Sequence, residues 1–114
     1  MGKRKLYDEV LSESLTNTTA EYVEGRVVEP GWILYVTSAA LEDENNGPAS
    51  IAFGKKVGDR FEASEEKASP SAGIRWNTVN THHFIAGERP VFRVEGGTSG
   101  DKLSGHMEGY YEEV

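Results

Sequence analysis

The chain has 114 residues, of which 37% are apolar, carries a formal net charge of −7 and contains no cysteine. That length fits one domain with a modest core, and two Trp, five Tyr and four Phe are too many for a disordered chain. The acidity argues against nucleic-acid backbones and anionic membrane surfaces as partners, because both call for clustered Lys and Arg. Disulfides and thiolate chemistry are excluded by the lack of cysteine, and no apolar run approaches the ~20 residues of a membrane span.

The chain opens on a basic tip, Met1-Gly2-Lys3-Arg4-Lys5. Polar Tyr7-Asp8-Glu9 follows where a secretion signal needs an apolar region, so the expectation is a protein made and kept without Sec export. Leu6, Tyr7, Val10, Leu11 and Leu15 fit a helical spacing, whereas Leu11 to Leu15 alternates as a strand does. Both alternatives stay open, and residues 1–20 form either an N-terminal arm or a first strand ahead of a domain over 21–114.

Tyr22 to Val28 reads as a strand closed by Glu29-Pro30-Gly31. Trp32 to Leu41 is the most apolar segment and is predicted to be a central strand covered on both faces. Glu42 to Pro48 is an acidic turn, and Ala49 to Gly54 a strand with Ile51 and Phe53 on one side. Lys55 to Arg60 bends around Gly58-Asp59, a short strand covers Arg60 to Ala63, and Glu65 to Ala72 is a surface loop. Gly73 to Phe84 reads as a strand that changes character at Asn80-Thr81-His82-His83.

After a turn at Ala86 to Arg89, the strands Pro90–Glu95 and Lys102–Tyr111 flank Gly96-Gly97-Thr98-Ser99-Gly100-Asp101. This pattern predicts an antiparallel hairpin with a longer loop, Asp101 bonding its own turn. On the closing strand Leu103, Met107 and Tyr111 share a face with Gly105 and Gly109, and Ser104, His106, Glu108 and Tyr110 take the other. Seven to eight short strands, turns every ten residues or so and no helical periodicity in mid-chain predict an all-β fold. The expected architecture is an antiparallel β-sandwich, jelly-roll-like.

Little in the sequence points to chemistry. His82 and His83 are adjacent, so a strand turns them to opposite faces, and His106 is distant. Ser99 lacks the GxSxG context of an activated serine, and the GGTSGD stretch has no following Lys-Ser/Thr or helix to make a phosphate cradle. The runs Glu42-Asp43-Glu44 and Glu65-Glu66 read as solvated turns rather than catalytic acid pairs. No catalytic, cofactor or metal residue is assigned, and no enzyme activity is expected. Trp32, Trp76, Tyr35, Tyr110 and Tyr111 could stack on sugars if several share an exposed face, with core packing the competing use.

Pro30-Gly31-Trp32 entering an apolar strand, the Glu42-Asp43-Glu44 turn and Ser69-Pro70-Ser71-Ala72-Gly73 before a Trp strand occur in that order. Ala86-Gly87-Glu88 and Ser99-Gly100-Asp101-Lys102-Leu103 follow them. Over about Tyr22 to Tyr111 this succession resembles the small β-sandwich accessory structural proteins of tailed viruses, of the capsid-decorating, turret or tail-associated type. The resemblance implies no enzyme activity and no cofactor. It implies a virion location, homo-oligomers of three, five or six copies, and contact with the major capsid protein or other virion proteins. Surface exposure there implies contact with host-surface glycan. Lys3, Arg4, Lys5, Leu6 and Tyr7 are the candidate assembly contacts, as an anchoring arm. A carbohydrate-binding β-sandwich module is the alternative.

Overall fold

The computed structural model describes residues 2–114, and among them there are nine strands and no helix. They are β1 (Arg4–Ser14), β2 (Ala20–Glu24), β3 (Trp32–Asp43), β4 (Ser50–Val57), β5 (Arg60–Ala68), β6 (Trp76–Asn77), β7 (His82–Phe84), β8 (Arg89–Glu95) and β9 (Lys102–Glu113). One sheet has the order β1-β9-β3-β6, with β7 also on β3, and the other β2-β8-β4-β5. All pairs are antiparallel. Taking β6 and β7 as halves of one interrupted strand leaves eight strands in two sheets of four. Every link changes sheet except β4–β5 and β6–β7, which is the arrangement of a jelly roll.

The N-terminal segment is a strand and not a helix: β1 pairs with β9 along its whole length, Arg4 opposite Glu112 through Ser14 opposite Lys102. Tyr7, Leu11 and Leu15 enter the core. The expected hairpin between Pro90–Glu95 and Lys102–Tyr111 is absent. β8 lies between β2 and β4, β9 lies between β1 and β3, and Gly96 to Asp101 carries the chain from one sheet to the other.

Other boundaries shift for local reasons. The strand expected over Tyr22 to Val28 begins at Ala20 and ends at Glu24, though Gly25 and Val28 still donate N–H groups to Pro90 and Glu88. The short strand from Arg60 extends to Ala68 through residues read as loop, because β5 is an edge strand whose exposed Glu and Lys side chains protect that edge. Gly73 to Phe84 is not one strand. Between β6 and β7 the N–H groups of Val79 and Asn80 bond the Glu65 carboxylate instead of a ladder.

β3 is central, but only its inner face meets the other sheet; on its outer face Ala40 is buried and the rest is partly open. A bulge between Val36 and Ser38 shifts the register, so Leu34 and Val36 before it and Ala39 and Leu41 after it all point inward. On the other face Thr37 is exposed and Tyr35 and Glu42 are half-buried. The bulge makes the run look continuously apolar.

The inner faces close around Phe53, which contacts Phe84 and Phe92 at ring separations of 6.1 and 4.9 Å. Trp32, Trp76 and Tyr111 pack against this core from its margins. Each fully buried Phe contributes on the order of 2–3 kcal/mol. On β9, a Cβ at Gly105 or Gly109 would collide with the carbonyls of Ala40 and Tyr35, so these glycines let β9 lie tight against β3.

Candidate assembly surface

β1 pairs with β9 alone and forms the edge of its sheet. Its candidate contacts separate by face. Lys3 is exposed. Arg4 bonds Glu112 at 2.9 Å and lies 4.7 Å from the Tyr110 ring centre. Lys5 places its Nζ over Trp32 and Tyr111, at 4.3 and 5.0 Å. Leu6 is 91% exposed and Val10 84%. Tyr7, by contrast, is only 2% exposed, so its side chain serves its own core. Its hydroxyl donates to Glu9 at 2.6 Å, and burial, then that carboxylate, raise its pKa far above the ordinary tyrosine range.

The outer face of this sheet carries a side-chain ladder. Tyr35 and Tyr110 are direct cross-strand neighbours, stacked at 5.0 Å and 21°. Arg4 covers the Tyr110 ring and His83 adjoins Tyr35 at 6.4 Å. Each tyrosine thus has one face against the other, and Arg4 lies over the Tyr110 ring. A shallow groove of about 340 Å³ beside it is lined by Leu6, Asp8, Thr37, Glu108 and Tyr110 among others. The notch under Lys5, with Arg26, Trp32 and Tyr111 in its wall, measures about 180 Å³, below the range of most small-molecule sites.

The acidic and histidine residues do not converge. Glu42 pairs with Arg75, and Glu44 accepts the Ser104 hydroxyl. Asp43, between them, is no solvated turn residue: it ends β3 at 1% exposure. One of its oxygens accepts the N–H groups of Asn45 and Asn46. Asp101, 4% exposed, bonds its own turn through its backbone N–H to the Thr98 carbonyl, while its side chain accepts the Asn46 amide at 2.8 Å. The two carboxyls lie within hydrogen-bonding reach of each other, and the second oxygen of each has no ordinary donor among the described residues. Burial, and then the facing Asp101, raise the Asp43 pKa against the pull of the turn amides.

Glu65 and Glu66 diverge as well, Glu66 toward Arg93 and Glu65 toward His82 Nε2 at 2.5 Å. Burial acts to raise the Glu65 pKa, but the Val79 and Asn80 amides and His82 hold it below the ordinary range. This bond ties β5 of one sheet to β7 of the other. His83 faces outward beside Tyr35, and His106 meets Arg75 at 3.3 Å. Among the described residues no group of three or more His, Asp or Glu is placed to hold a metal ion. No protein-family model matches the chain, and no curated protein matches it.

Proposed function

We propose that this β-sandwich is a non-catalytic structural protein of a virion, an accessory capsid protein (decoration or turret) or a tail component. In this proposal it self-associates and attaches to the major capsid protein or another virion protein. The observation that carries self-association is a long, unpaired edge strand that presents Leu6 and Val10 almost fully to solvent. Support for the virion location is analogy at the level of the fold. The strand order is that of a jelly roll, a fold used by capsid proteins and by lectins.

The lectin-like alternative has one observation in its favour, the half-buried Tyr35 and Tyr110 on the outer face. Sugar stacking uses ring faces, and here Tyr35 and Tyr110 stack on each other while Arg4 lies over Tyr110. That arrangement favours assembly over glycan binding.

Removing residues 1–15 would strip Tyr7, Leu11 and Leu15 from the core, so point substitutions make the better test. The variant Leu6→Glu/Val10→Glu is expected to keep its β-sheet circular dichroism and lose oligomer mass in light scattering. Antibody against the chain should label purified virus particles. A strictly monomeric wild type with tight glycan binding replaces this proposal with the lectin one.

A further inference from the structure

The backbone bonds show which groups of β1 point outward. Glu113 donates its N–H to the Lys3 carbonyl and Leu15 donates to that of Asp101, at 2.8 and 2.7 Å. Both bonds lie in the single, unshifted register of the β1–β9 pair. Antiparallel alternation therefore turns the N–H and C=O groups of Lys5, Tyr7, Glu9, Leu11 and Glu13 toward β9. Those of Arg4, Leu6, Asp8, Val10, Ser12 and Ser14 face the open edge, and no backbone bond among the described residues reaches them. This edge has no proline and no bulge, two of the devices that block strand addition; its charges are a third, so a partner strand must match them.

Three charges on β1, Lys5, Asp8 and Glu13, lack an opposite partner among the described residues, and the first and last of them lie on the inner face. Among the described residues neither Lys5 nor Glu13 forms an ion pair. Lys5 rests on aromatic rings at one end of the strand. Glu13, at the other end, shares a hydrogen bond with the Glu21 carboxyl. Lys5 and Glu13 lie at equal distances from Glu9.

We infer that β1 pairs antiparallel with β1 of a second copy about a two-fold axis at Glu9, placing Lys5 of each chain opposite Glu13 of the other. This inference rests on the self-association proposed above and names its surface. The register overlaps Arg4–Ser14 completely and sets Tyr7 opposite Leu11. Leu6 and Val10 of the two copies become diagonal neighbours, within reach across a sheet. Glu9 meets its own copy, but each Glu9 already accepts Arg26 through the backbone N–H and the guanidinium. Centring on Asp8 would oppose two aspartates; centring on Tyr7 sets Lys5 opposite Glu9, which Arg26 already holds, and leaves Glu13 without a partner; centring on Val10 sets Lys5 opposite Leu15 and Glu13 opposite Tyr7. The joined sheet runs β6-β3-β9-β1 into its two-fold image, an isologous contact that closes at two copies. A ring of six would join three such pairs through another surface.

Sedimentation of the full chain tests this through charge and backbone. Lys5→Glu and Glu13→Lys should each weaken the homodimer about tenfold or more, since each opposes like charges twice per dimer. An equimolar mixture of the two variants should dimerise as wild type does, because both contacts are then complementary. Asp8→Pro removes an outward N–H and leaves the β9 ladder intact, so it should give a folded monomer. If wild type associates but the variants and their mixture behave like it, this interface is overturned while self-association stands. A wild-type monomer at high concentration overturns both.

Discussion

Two glycine-containing links in this chain look alike and do opposite things. Gly58-Asp59 joins β4 to β5 within one sheet, Val57 facing Arg60 across a two-residue turn. Positive φ occurs at Gly58 alone, at 58°, as a type II′ turn requires. Gly96 to Asp101 leaves β8 and enters β9 in the other sheet. It is held by distant parts of the chain: Gly96 donates to the Thr18 carbonyl, Gly100 to that of Leu15, and Leu15 back to Asp101. A hairpin is specified by its own turn residues. A crossover is specified by what receives it, here the neighbouring crossing from β1 to β2, which runs the opposite way.

The largest expected difference between the two links follows from Leu15, fully buried where the crossovers meet. Leu15→Ala should cost about 3 kcal/mol by denaturant unfolding, from lost burial and a residual cavity. Gly58→Ala meets no obstructing atom and should cost only about 1 kcal/mol, the penalty of positive φ for a residue with a Cβ. Equal losses would mean that the crossover is no more dependent on long-range contacts than the hairpin.

This contrast also explains which parts of the fold were legible in the sequence. The two faces of β9 follow from Leu103, Met107 and Tyr111 alternating with Ser104, His106 and Tyr110, and Ile51 and Phe53 likewise announce their shared side. The partner of β9 does not follow, because six turn-forming residues suit a hairpin and a crossover equally. Only the pairing of β9 with β1, from Ser14–Lys102 to Arg4–Glu112 and so 88 to 108 positions apart, separates them. The bulge at Thr37 was hidden for a related reason, since its evidence is a register with β9. Lys3 to Leu6 stood out by charge and position, whereas the Tyr35–Tyr110 ladder and the isolation of Val10 arise from strand order. The Asp43–Asp101 contact joins the end of β3 to the crossover loop, two stretches that each read as ordinary polar turns in sequence.

That acid contact gives a smaller and pH-dependent way to sharpen the comparison, since Asp101 closes the crossover. Asp43 titrates above its ordinary value of 3.8 in the folded protein. An acid with a raised folded pKa stabilises while protonated, so this contribution is lost as pH rises through the folded value. Asp43→Asn keeps an oxygen for the Asn45 and Asn46 amides and offers an N–H to Asp101. At neutral pH it should melt roughly 4 °C higher than wild type, about 1 kcal/mol, with a flatter dependence of melting temperature on pH. A lower melting temperature at neutral pH would show that the second carboxylate is needed there.

The smallest effect belongs to Glu13, where β1 turns into its own crossover. Glu21 holds that loop by accepting the N–H groups of Thr16 and Asn17. Those bonds help keep Glu21 below its ordinary pKa, against the effect of burial. Burial, followed by the neighbouring Glu21, raises the pKa of Glu13 from 4.5 to about 7. The sign is that of Asp43: the stabilisation is complete below pH 4.5 and disappears as pH rises through about 7. Because Glu13 is only partly buried, solvent screening limits the effect to at most about 0.5 kcal/mol. Glu13→Gln, measured in the monomeric Asp8→Pro background, should therefore melt slightly higher at pH 8 and lose the slope between pH 4.5 and 7. In the paired wild type the order should reverse, because a charged Glu13 then meets Lys5 of the other copy and the amide cannot. If Gln is favourable to the same degree at all protein concentrations, Glu13 is a strained neighbour of Glu21 and takes no part in pairing.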